Sequence, residues 1–134
     1  MQLNLTLGAT DLDMTHDFYH QLPDLKVKRL TDSRGAVTAL MVVTFNLHLV
    51  FQPLHSLERQ HPALLQHLSR TALGAGVILE FECTDLDAVY RAARCNDWPI
   101  LYELEDREHQ RRELWLQDPN GYILALNEEP GSAS

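Results

Sequence analysis

Long apolar runs are missing from this 134-residue chain. None approaches the roughly 18–20 residues that a membrane-spanning helix needs. The opening Met1-Gln2-Leu3-Asn4-Leu5 alternates and has no basic stretch before it, so no secretory signal is expected. Cysteine is scarce: Cys83 and Cys95 make neither a CxxC pair nor a disulfide framework. A reducing, cytoplasmic setting is expected, with both thiols behaving as small hydrophobes. Basic residues are also few, 11 Lys and Arg against 19 Asp and Glu, for a formal charge of -8. That balance argues against nucleic acid or an anionic membrane as the main partner. What remains is ordinary for a globular chain, with 45% hydrophobic residues, enough to bury a core.

The apolar residues fall into two repeating patterns. Residues 2–8 alternate with Leu3, Leu5 and Leu7, the period of a half-buried strand. Thr10 or Asp11 then caps a short helix whose stripe is Met14, Phe18 and Leu22, stopped by Pro23. Three strands are expected near 24–31, 36–44 and 46–52, with turns at Ser33-Arg34-Gly35 and Phe45-Asn46. Residues 53–75 form an irregular connector in which Leu64, Leu65 and Leu68 suit a short helix. The order then restarts. A strand at 76–83 precedes a helix capped by Asp85, with stripe Leu86, Val89, Tyr90 and Ala93. Strands at 99–104, 111–117 and 121–128 follow, the last two joined by Asp118-Pro119-Asn120-Gly121. Residues 129–134 read as a frayed tail.

The chain is therefore expected to be α+β: two βαβββ modules (1–52 and 76–128) forming a curved mixed sheet around a cavity, helices on the outer face. Strand parity assigns the faces. Leu3, Leu5, Leu7, Leu47, Leu49, Phe51, Val77, Leu79, Phe81, Cys83, Leu114, Leu116, Tyr122, Leu124 and Leu126 point toward the helices. The opposite parity holds Gln2, Asn4, Thr6, His48, Val50, Gln52, Ile78, Glu80, Glu82, Glu113, Trp115, Gln117, Ile123, Ala125 and Asn127. A sheet face of that composition meets water or lines a ligand cavity; a tryptophan on it favours the cavity. His16 and His20, one turn apart on the first helix, and His109 in a charged hairpin tip are expected at the surface.

Three segments give the chain a family likeness: LNLTLGATDLDMTHDFYHQL, ILEFECTDLDAVYRAAR and LWLQDPNGYILALNEE. In this order they resemble the vicinal oxygen chelate superfamily of glyoxalase I, the fosfomycin and bleomycin resistance proteins, and the extradiol dioxygenases. The resemblance implies four metal-ligand positions, which fall on Asn4, His48, Ile78 and Ala125. Of these only His48 is a good ligand, whereas a divalent site needs at least about three. No cofactor is therefore expected. A rearranged site of His48, Glu80, Glu82 and Glu113 remains open as a lesser possibility. The resemblance then implies a metal-free small-molecule-binding protein of the bleomycin-resistance type, a homodimer. Trp115, His48, Asn4, Thr6, Glu80, Glu82 and Glu113 would contact the ligand. The rival expectation is a lyase, isomerase or dioxygenase-type enzyme with an altered metal or acid/base site using His48 and the cavity glutamates.

Overall fold

The computed structural model describes residues 2–45, 47–63, 65, 68 and 72–128. The element order is β1 (Leu3–Ala9), α1 (Leu12–Tyr19), β2 (Lys26–Thr31), β3 (Val37–Val43), β4 (Leu47–Pro53), α2 (Leu54–Gln60), β5 (Ile78–Cys83), α3 (Leu86–Asn96), β6 (Ile100–Asp106), β7 (Arg111–Gln117) and β8 (Ile123–Glu128). The strands make two four-stranded mixed sheets, ordered β1-β4-β3-β2 and β5-β8-β7-β6. In each, the first and last strands of the module run parallel and the remaining pairs are antiparallel. This is the expected α+β architecture of paired βαβββ modules.

The chain divides into two compact units. The first holds Met1–His20 and Leu25–Leu73; the second holds Gln21–Asp24 and Gly74–Ser134. The Gln21–Asp24 segment is tied into the second unit by side chains. Asp24 Oδ2 accepts from the Thr84 hydroxyl at 2.7 Å, and Asn96 Nδ2 donates to Gln21 Oε1 at 2.9 Å.

Parity governs burial within each unit. In the first, Leu7, Leu40, Val42, Leu49 and Phe51 are buried beneath α1, and the Tyr19 and Phe51 rings lie 5.0 Å apart. In the second, Leu79, Leu114, Leu116, Leu124 and Leu126 are buried, with Leu86, Val89 and Ala93 on the inward side of α3. Each such side chain stabilises the fold by roughly 1.5–3 kcal/mol, so a one-residue register slip is prohibitive. Leu3 departs from the expected pattern at 63% exposure, because it opens an edge strand ahead of the helix cover.

Both main helices start the same way. Asp11 accepts from the Met14 amide and Asp85 from the Ala88 amide, each at 3.0 Å, satisfying a first-turn donor. The buried side of α1 differs from the expected stripe. It consists of Thr15, Phe18 and Tyr19, with Leu22 beyond the helix, whereas Met14 is exposed. Thr15 can be buried because its hydroxyl donates to the Asp11 carbonyl at 2.7 Å.

The connector holds a helix that periodicity missed, α2, beginning directly after Pro53. It lies over the end of β1 and β4, where an added Cβ on Gly8 would run into Leu54 Cδ2. Of the short helix expected around Leu64, Leu65 and Leu68, Leu64 lies outside the described residues, as do Asn46 of the expected turn and the tail 129–134. The Asp118 turn forms as expected. Its carboxylate, only 4% exposed, accepts from the Asn120 and Tyr122 amides at 2.9 and 2.8 Å.

Candidate functional site

The sheet faces opposite the helices carry the residues singled out by parity. On the first sheet, the register aligns Asn4, His48, Val43 and Lys26 in one row across β1, β4, β3 and β2. The next row is Thr6, Val50, Met41 and Lys28. Asn4 and His48 are thus immediate neighbours, with Thr6 two residues further along. Gln2 reaches the imidazole, its Nε2 lying 2.7 Å from Nδ1 and 3.0 Å from Nε2 of His48. His48 is half-buried, whereas Asn4 and Thr6 are exposed. Among the described residues this face bears two lysines and one histidine, and no carboxylate.

The corresponding face of the second sheet has the opposite sign. One row runs Glu80, Ala125, Trp115 and Tyr102 across β5, β8, β7 and β6; the next runs Glu82, Asn127, Glu113 and Leu104. The structure therefore gathers Glu80, Glu82, Glu113 and Trp115 on one surface. Glu80 Oε1 accepts from Asn127 Nδ2 at 2.7 Å, and Glu113 pairs with Arg111 at 3.2 Å. Tyr102 meets Trp115 edge-on, with centroids 6.1 Å apart. The Trp115 Nε1–H is shielded from solvent and has no hydrogen-bond partner among the described residues. A shielded N–H left unpaired costs roughly 1–3 kcal/mol.

Two contacting residues, Tyr102 and Arg111, were not placed beforehand, whereas Gln2 and Asn127 were assigned to these faces without a partner. Gln2 and Asn127 share the parity of their partners, so the face assignment contained the signal. Tyr102 was harder to place, because β6 carries an irregularity in register between Ile100 and Tyr102.

Two of the four positions implied as metal ligands lie on each sheet. Asn4 and His48 are register neighbours on the first sheet, but Ile78 pairs with Ile123 and Ala125 with Glu80 on the second. Ile78 and Ala125 offer no donor atom at all. Among the described residues, no group of three or more His, Cys, Asp or Glu side chains is placed to hold an ion.

Other features stand apart from these faces. A groove of about 420 Å³ at the end of β1 is lined by Asp11, Asp13, Val37, Leu54 and His55, and includes none of the expected site residues. Burial and the nearby Glu128 carboxylate push the Cys83 thiol up to about 11, which makes it an inert core group. At the hairpin tip, His109 Nδ1 lies 2.8 Å from Asp106 Oδ2, and this contact holds the Asp106 carboxyl below its usual range. No helix in the described residues is long and apolar enough to cross a membrane.

Comparison with known proteins follows the same lines. A family model described as Glyoxalase/Bleomycin resistance protein/Dioxygenase superfamily matches residues 3–126. No curated protein matches the chain. Among solved structures, the chain resembles a glyoxalase/bleomycin resistance protein/dioxygenase family enzyme from Burkholderia phytofirmans PsJN, with TM-score 0.69, 16% identity, and coverage of 93% of this chain and 95% of the other. TioX from Micromonospora sp. ML1 aligns with TM-score 0.64 and 14% identity over 96% of this chain and 98% of its own. Lactoylglutathione lyase from Agrobacterium tumefaciens aligns with TM-score 0.63 and 16% identity over 96% and 92%. At these identities the likeness concerns the fold.

Proposed function

The chain belongs to the glyoxalase/bleomycin resistance protein/dioxygenase superfamily, and on that footing we propose that it is a metal-free small-molecule-binding protein. The second sheet offers a ligand Trp115, Glu80, Glu82 and Glu113; Asn4, Thr6 and His48 are a separate set of ligand contacts on the first. The observation that carries this reading is the solvent-shielded Nε1–H of Trp115, unpaired among the described residues. A ligand that lays an aromatic or apolar surface on the indole and displaces the groups covering Nε1, offering it an acceptor, recovers the cost of leaving that donor unsatisfied. The three glutamates beside it favour a ligand with positive charge or several donors. On the first sheet, Asn4 and Thr6 supply neutral hydrogen-bonding groups.

The absence of metal is part of the proposal and rests on donor chemistry. An amide, one imidazole and two aliphatic side chains do not fit a divalent ion that requires three or more N or O ligands. Without such an ion, nothing at these positions polarises a substrate oxygen or stabilises an enediolate. The rearranged set fares no better, since Glu80 is engaged by Asn127 and Glu113 by Arg111. A homodimeric, cytoplasmic protein completes the reading, on the family resemblance and cysteine usage respectively.

Tryptophan fluorescence across a panel of aromatic and cationic small molecules tests it. Quenching is expected for at least one ligand, and calorimetric titration with that ligand should find its affinity reduced about fivefold to tenfold in Trp115→Phe, which keeps a ring but removes the N–H. Trp98 supplies the constant background. Failure of every ligand to quench, or equal affinity in Trp115→Phe, overturns the reading. One observation favours the rival, a lyase, isomerase or dioxygenase-type enzyme: Gln2 orients the His48 imidazole. Stoichiometric Ni, Zn, Mn or Fe that disappears in His48→Ala would establish that alternative in place of ours.

A further inference from the structure

The first helix carries chemistry that the sheet faces do not use. His16 and His20 stand at i and i+4, so both imidazoles project from one side of α1, a turn apart. Their ring centroids are 5.4 Å apart and their planes cross at 78°. With metal–nitrogen bonds of about 2.0–2.1 Å, an ion lies about 3.2 Å from each ring centroid, so two imidazoles sharing one ion stand about 4.5–5.5 Å apart. The observed separation already falls in that range.

We propose that His16 and His20 form a surface chelate for a divalent transition-metal ion of the copper, nickel or zinc class. The assignment extends to which nitrogen binds. His16 Nδ1 is shielded from solvent and makes no hydrogen bond among the described residues, and the side chain is 15% exposed. Coordination therefore falls to Nε2. The inner nitrogen lies 3.6 Å from Asp17 Oδ1, slightly beyond hydrogen-bonding distance. A metal on Nε2 fixes the tautomer with hydrogen on Nδ1, and a small movement of Asp17 then completes a carboxylate–histidine–metal arrangement. Placement in the last turn adds a general attraction. His16 lies in the final turn and His20 is the C-cap, so both stand at the negative end of the helix dipole, on a chain of net charge -8. Two imidazoles with water in the remaining positions fall short of a resident metal centre, and as a weaker surface chelate they suit copper(II) best of the divalent series.

This site is independent of the ligand-binding reading and shares no residue with it. The test is calorimetric titration of the full chain with copper(II) in a non-coordinating buffer, followed by electron paramagnetic resonance of the one-equivalent complex. One strongest site with two nitrogen couplings is expected. His20→Ala is expected to weaken that site by about tenfold or more and to leave one coupling, with Asp17→Asn producing a smaller loss. His48→Ala and His55→Ala should leave it unchanged. His20 is exposed, so its removal tests the chelate without threatening the fold; His16→Gln, checked by circular dichroism, tests the half-buried partner. Equal copper affinity in His20→Ala, or loss of the strongest site in His48→Ala instead, overturns the proposal.

Discussion

The two units use one scaffold for two chemistries. Counted from their capping aspartates, Thr6 corresponds to Glu80, and the matching rows read Thr6-Val50-Met41-Lys28 and Glu80-Ala125-Trp115-Tyr102. Nothing on the open face of one row is kept in the other, and the sign of the charge inverts. On the helix-facing side the chemistry is constant and the shapes differ. Phe18, Tyr19 and Phe51 share the first core with leucines at 7, 40 and 49, whereas leucines at 79, 86, 114, 116, 124 and 126, with Tyr122, fill the second. A core needs apolar volume in a fixed register, and aromatic or branched side chains supply it equally well. The open face is free of that demand, so ligand chemistry can vary there without cost to the fold.

The largest expected effect tests this division. Phe51→Ala and Leu116→Ala should each destabilise by about 2–5 kcal/mol in urea unfolding, in different units but for the same reason. Thr6→Ala and Glu80→Gln should stay within about 0.5 kcal/mol. An open-face change as costly as a core change would break the comparison.

Next in size is the turn before each closing strand. Asp118 is buried and accepts two backbone amides, so Asp118→Ala should cost about 1–3 kcal/mol. At the matching turn of the first unit, Thr44 Oγ1 donates to the Leu47 carbonyl at 2.7 Å, and Thr44→Ala should cost about 1 kcal/mol or less. Thermal melts of the two variants rank them directly, and the reverse order would show that the two turns are not equivalent.

The smallest effect belongs to the second unit's ion pairs. Arg112 bridges Asp87 on α3 at 2.8 Å and Glu128 on β8 at 3.2 Å. Hydrogen bonding to the guanidinium holds the Asp87 carboxyl below its ordinary 3.8. A depressed carboxylate stabilises the folded state above its unfolded value and loses that contribution as pH falls through the folded one. Arg112→Met should therefore lower Tm by a few degrees at most near neutrality, and the gap should narrow in acid below pH 3.8. A gap that is constant or widens in acid would deny the bridge its role.

Alternation made most of this fold readable in advance, because a strand with one buried face must show its period in sequence. The leucines at 7, 49, 114, 116, 124 and 126 did so. Other features escaped for definite reasons. Met14 and Thr15 exchanged the expected exposure because a hydroxyl bonded to the preceding turn is inexpensive to bury. Helix α2 is seven residues long, too short for its pattern to stand out, and Leu54 is positioned by contact with Gly8 rather than by periodicity. The composition of the open faces followed from parity, but the partners of individual groups did not. That His48 meets Gln2, Glu80 meets Asn127 and Trp115 meets Tyr102 depends on strand register.

Gly8 gives α2 a significance out of proportion to its length. It shares the parity of Asn4 and Thr6, and its missing side chain lets Leu54 rest on the strand backbone. The helix thus works as an end-stop for the first sheet. A molecule lying along β1 and β4 has its reach limited there, and the gauge is a single methyl: alanine at position 8 would turn Leu54 aside and lengthen the usable floor.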